Sequence, residues 1–102
     1  MIDIYAGRHK ITLDQIGMPT LMACGARDIV HDDPNGMVMF RVGSGHANRK
    51  IIVTLTLADT YTVEYGHMPT RGARKYEWIT DKTITDVYAE QLAETVYQLV
   101  NR

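Results

Sequence analysis

The chain has 102 residues, 45% of them apolar and 23% charged, with a formal net charge of −1. That length and composition suit a single domain, residues 1–102, able to bury a core without disulfides or metal, and the near-neutral balance excludes a generally basic nucleic-acid coat. One cysteine excludes an intramolecular disulfide; no apolar run has transmembrane length and no basic-then-apolar leader is visible, so the expected setting is cytoplasmic, with no membrane contact.

In chain order, Met1 to Lys10 is mixed, and Ile2, Ile4 and Tyr5 read as an added strand or a tail. Thr12-Leu-Asp-Gln15 fits a capping box, with Gly17 and Pro19 stopping the helix after about two turns. Thr20 to Cys24 is an apolar run that, with Arg27 to Val30, reads either as two short strands or as one bent strand. Cys24 within it is expected to be a buried, unreactive thiol. His31-Asp-Asp-Pro-Asn-Gly36 is a turn, because Pro34 fixes φ and Asn35-Gly36 accepts positive φ. Met37 to Val42 is the next strand, and Gly43 to Asn48 a loop.

The most secure element is the hairpin from Ile51 to His67. Ile51, Val53, Leu55 and Leu57 alternate with Ile52, Thr54 and Thr56; after Ala58-Asp59 the alternation resumes with Tyr61, Val63 and Tyr65. A short turn of this kind forces antiparallel pairing. A second long loop, Met68 to Arg74, leads to an expected final strand at Lys75 to Thr80. Ile84, Val87, Tyr88, Leu92, Val96, Leu99 and Val100 then recur at spacings of three and four, which predicts a helix over about 84–100, opened by Thr83 and Asp86. The expected fold is α+β: an antiparallel β-meander of four to six strands, with a short N-terminal helix and a long C-terminal helix packed on one face.

Three stretches also resemble a known family. Gly-Ala-Arg27 after an apolar segment, Ala-Asp-Thr-Tyr-Thr-Val-Glu64 and Asp-Val-Tyr-Ala-Glu-Gln-Leu92 are similar to stretches found in the same order in small uncharacterised proteins of bacteriophages and mobile elements, about 100 residues long, with no assigned activity. The resemblance implies a phage-encoded accessory protein working in the host cytoplasm. It implies no catalytic residues.

In a meander, loops 43–50 and 66–75 emerge at one end of the sheet. They contain Arg49, Lys50, Arg71, Arg74, Lys75, His46 and His67 and no carboxylate, whereas Asp32, Asp33, Asp59, Asp81 and Asp86 are expected at the other end against Lys82 alone. Glycines 43, 45, 66 and 72, with Ser44 and Asn48, supply hydrogen-bond donors for an anion, and Tyr76 or Trp78 a face for a base. The candidate binding residues are therefore His46, Arg49, Lys50, Arg71, Arg74, Lys75 and Trp78. The expected function is that of a non-enzymatic binding module, its partner a nucleic acid or an acidic host protein that handles nucleic acid. The alternative is a structural or assembly protein whose copies associate head to tail.

Catalytic signals are weak. His31-Asp32-Asp33 offers a ligand and two carboxylates, but neighbouring residues in a turn diverge, and turn chemistry explains the segment. The four histidines are scattered, with no paired-ligand spacing, and Ser44 with His46 is too local for a triad. Glu90 and Glu94 read as a solvated helix stripe, and Met18, Met22, Met37 and Met39 as core filling. No enzyme activity, cofactor or metal is expected.

Overall fold

A computed structural model describes residues 7–43 and 49–101. The order of elements is α1 (Arg8–Ile16), α2 (Met18–Ala23), β1 (Arg27–Asp32), a 3-10 turn (Asp33–Asn35), β2 (Met37–Val42), β3 (Arg49–Leu55), β4 (Tyr61–His67), β5 (Ile79–Val87) and α3 (Ala89–Val100). The five strands form one antiparallel meander in the order β1-β2-β3-β4-β5. The fold is α+β, as the sequence pattern predicts.

Alternation decides the layers. Val38, Phe40 and Val42 of β2, Ile51 and Val53 of β3, and Tyr61 and Val63 of β4 point one way and are buried. Ile16 of α1, Leu21 of α2 and Leu92, Val96 and Leu99 of α3 close over them to make a single core. All three helices thus lie on one face. Across the other face run Met37, Met39 and Arg41, paired with Thr54, Ile52 and Lys50, and next to them Thr62, Glu64 and Gly66. Among the described residues no helix covers this second face.

Several local expectations are corrected. Thr12 does not cap α1; it sits in its middle turn, 1% exposed, one turn before Ile16. Gly17 does end α1, its N–H donating to the Leu13 carbonyl. Pro19 does not end a helix but starts α2, in the first turn, where its missing N–H costs nothing. Residues 20–23 are therefore helical, and among the described residues only one strand, β1, precedes the turn at 33–36. The hairpin loop runs from Thr56 to Thr60, with Asp59 in the left-handed region and Leu57 at the tip, 93% exposed rather than inside. The final strand begins at Ile79, not Lys75, and runs on to Val87, so Ile84 and Val87 belong to β5. Helix α3 starts only at Ala89, where Gln91 Oε1 accepts the Tyr88 N–H at 3.4 Å. Tyr88 points outward, while Leu92 and Val96 face the sheet as expected. Met18 and Met22 are exposed, and Met37 and Met39 half-buried on the second face. Cys24 is buried, and that burial pushes its thiol up. Residues 1–6, including Ile2, Ile4 and Tyr5, lie outside the described residues.

Both edge strands are interrupted. Between Arg27↔Arg41 and Val30↔Met39 the register of β1 shifts, with Asp28 at φ 54°; between Tyr61↔Val87 and Val63↔Ile84 that of β5 shifts, with Asp86 at φ 57°. Asx residues tolerate this conformation better than other side chains, and such bulges twist an edge away from further pairing. Asp86 is thus a bulge residue, not a helix start.

Helix α1 has a glycine, Gly7, at its N-cap and no side-chain cap of its own. Asp33 supplies one from the β1–β2 turn: its carboxylate accepts the Gly7 N–H at 3.0 Å and the His9 N–H at 3.1 Å. Arg8 Nη2 also donates to the Leu55 carbonyl at 3.2 Å, tying α1 to the adjacent hairpin. Burial alone would raise the Asp33 carboxyl; the hydrogen bond from the His9 ring, the two backbone amides and the His9 charge outweigh it and lower the pKa to about 2.

Two outcomes follow from this packing. Leu92→Ala, a fully buried helix–sheet contact, should lower the unfolding free energy by about 2–5 kcal/mol in urea denaturation. Because the folded pKa of Asp33 lies below its unfolded value, its contribution is complete above about pH 4 and is lost as pH falls towards 2. Asp33→Asn should flatten the stability profile in that window, and an unchanged profile would contradict the capping role.

Candidate nucleic-acid interface

The meander places the β2–β3 and β4–β5 connections at one end of the sheet, as expected. Arg49 is paired with His67 and Lys50 with Gly66, next to the loop that carries Arg71, Arg74 and Lys75. His46, Ser44, Gly45 and Asn48 lie outside the described residues. The same end receives the start of β1 and the end of β2, and so gains Arg27 and Arg41, paired across the strands. Register alone brings these two here, and reading loops in the sequence does not reveal them.

The end is not free of carboxylates. Asp81 does not lie at the opposite end: β5 starts only at Ile79, so Asp81 is near its beginning, and a shift in register between Tyr65↔Lys82 and Gly66↔Thr80 leaves it unpaired beside the basic loops. There its Oδ2 lies 2.7 Å from His67 Nδ1 and 3.8 Å from Arg49 Nη1. Arg74 Nε meets Glu77 Oε2 at 3.1 Å, and Arg41 Nη1 meets Asp28 Oδ2 at 3.4 Å. These are exposed pairs of small energetic weight. Lys50, Arg71 and Lys75 make no ion pair among the described residues; Lys75 Nζ stands 4.8 Å from the Tyr76 ring centroid. Among the described residues, seven Lys/Arg side chains (27, 41, 49, 50, 71, 74 and 75) thus share this end with the carboxylates of Asp28, Glu77 and Asp81. The basic character survives, reduced. The far end keeps Asp32, Asp33, Asp59 and Asp86, as expected, and Arg8 and His9 join them there.

Alternation splits the basic residues between the two faces. Arg49 shares the inward parity of Ile51, and its guanidinium lies 5.6 Å from the Tyr65 ring centroid and donates to the Tyr65 hydroxyl at 3.3 Å. Lys50 and Arg41 take the opposite parity and stand on the second face.

Trp78 joins that second face. It is half-buried, and its ring rests on Gly66: a Cβ built there would stand 2.7 Å from Trp78 Cζ2 and collide with the Ile79 carbonyl oxygen. Glycine is required here by close approach rather than by an unusual φ. Tyr76 is held differently, with its N–H on the Pro69 carbonyl at 2.7 Å, φ 65° and its side chain 65% exposed. The arrangement sets the indole edge on Gly66, the cross-strand partner of Lys50, and the phenol beside Lys75 in the loop.

Gly66→Ala should lever Trp78 off its seat. The expected result is a red-shifted emission from this sole tryptophan together with a stability loss of about 1–3 kcal/mol. Unchanged emission would show that the indole does not depend on Gly66.

No protein-family model, curated protein or solved structure matches this chain.

Proposed function

We propose that this protein is a non-enzymatic module that binds nucleic acid, in preference single-stranded, through the basic end of its sheet. The observation that carries the reading is the joint presence, at one end, of seven Lys/Arg side chains and the Trp78 ring beside a sheet face that no described helix covers. Lys50, Arg41 and the Arg71–Lys75 loop supply cations for phosphates, and the indole and phenol supply surfaces for unstacked bases. A phage or mobile-element setting agrees with the sequence resemblance and is part of the proposal.

Self-association is the weaker reading. Aspartate-centred bulges in both edge strands oppose strand-to-strand growth, and Arg8 offsets part of the far-end negative charge that head-to-tail attraction would use.

Each phosphate neutralised on a single strand releases condensed counterion, so log affinity should fall linearly with log salt. Three to five contacts give a slope of about −2 to −3.5. Lys50→Ala and Arg71→Ala should each make the slope shallower by about 0.7 and weaken all sequences alike. Fluorescence anisotropy with a labelled oligonucleotide measures this. An absence of binding at low salt, with protein shown to be folded, would remove nucleic acid as the partner and leave an acidic protein to be tested on the same residues.

A further inference from the structure

At the end of the sheet opposite the basic loops, α1 brings His9 to His31 of β1 and Asp33 of the following turn. Their rings stack at 3.6 Å between centroids and 9° between planes. His9 Nδ1 lies 2.9 Å from Asp33 Oδ1, and His31 Nδ1 3.5 Å from the same oxygen; one ligand atom from each residue falls within 4.8 Å of the others. The expectation that the histidines are scattered is thereby corrected, because a contact between a helix and a strand turn unites two of the four.

We infer that His9, His31 and Asp33 form a binding site for a divalent transition-metal cation of the zinc type. Two imidazole nitrogens and one carboxylate oxygen make a donor set that suits zinc and its neighbours rather than the all-oxygen preference of calcium or magnesium. Spacing agrees as well. Two ligand atoms, each about 2.0–2.1 Å from a tetrahedral ion, stand roughly 3.3 Å apart, and the observed nitrogen–oxygen separations of 2.9 and 3.5 Å bracket that value. Asp33 is held ionised by its amide partners, so a charged ligand is in place. The carboxylate is 15% and the His9 ring 19% exposed, whereas His31 is 46% exposed and leaves a solvent-side position for water.

Coordination requires one change. The Nδ1 lone pairs of stacked rings lie in two nearly parallel planes, the ring centroids 3.6 Å apart, so both cannot meet one ion in this geometry. His31, on an exposed edge strand, is the ring with room to turn; His9 is held between its own backbone cap and Asp33. The cation would replace the proton shared between His9 Nδ1 and Asp33 and would tie α1 to β1 and to the turn after it, Asp33 lying 24 residues from His9. This site does not depend on the nucleic-acid reading.

The test is isothermal titration of the full chain, freed of metal by chelation and dialysis, with Zn²⁺, alongside nuclear magnetic resonance of the histidine rings. The inference expects one Zn²⁺ per chain, displacement of the His9 and His31 ring signals, and at least tenfold weaker binding in both His31→Ala and His31→Gln. His67→Ala, at the other end of the sheet, should bind as the parent does. Circular dichroism checks that each variant is folded; His31 is exposed, so its replacement leaves the core intact. No binding by the parent chain overturns the inference. So does less than tenfold weakening in the His31 variants, or an equal loss in His67→Ala.

Discussion

The structure depends on one-sided burial of the sheet. Phe40, Ile51, Val53 and Val63 are fully buried from the strands, and Ile16, Leu92 and Val96 from the helices, in one shared core. Removing apolar surface from water drives this closure, and the meander requires the closing helices to come from the two termini of the chain. Strand alternation then has a functional consequence. Once Ile51 points into the core, Lys50 must point away from it, towards the face that carries Met39, Ile52 and Trp78.

Asp33 and the two bulges refine that plan. A glycine at the start of α1 leaves helix N–H groups without a local partner, and a carboxylate from a turn 26 residues away accepts the Gly7 N–H. The cap therefore holds tertiary structure as well as a helix end. Asp28 and Asp86 shape the sheet margins, each taking a left-handed conformation within an irregularity of an edge strand. A third register shift, beside Asp81, moves a carboxylate to His67 and Arg49 and tempers the charge at the basic end.

The legible parts of the fold are those in which one period dominates. The 51–67 hairpin and the 37–42 strand alternate strictly, and their pairing follows from a short connection. Residues 20–23 read as strand in the sequence yet are helical for a physical reason: a short apolar run serves a strand or a helix equally, and Pro19 ends a helix or begins one. Ile84 and Val87 mimic a helical spacing of three because a bulge adds a residue between two inward positions of β5. The basic loops could be found by following the meander. Arg27 and Arg41 could not, since their place depends on cross-strand register, and the approach of His9 to His31 depends on where α1 docks.

The central claim is that the basic end and the Trp78 seat act as one binding surface. An amide and indole shift map during titration with a short unlabelled single strand tests it most directly. The account predicts displacements concentrated at Lys50, Gly66, Arg71 to Lys75 and the Trp78 indole, with Leu92, Val96 and the turn at 33–35 unmoved. Displacements centred on the helix layer, or none at all at a saturating strand concentration, would contradict it.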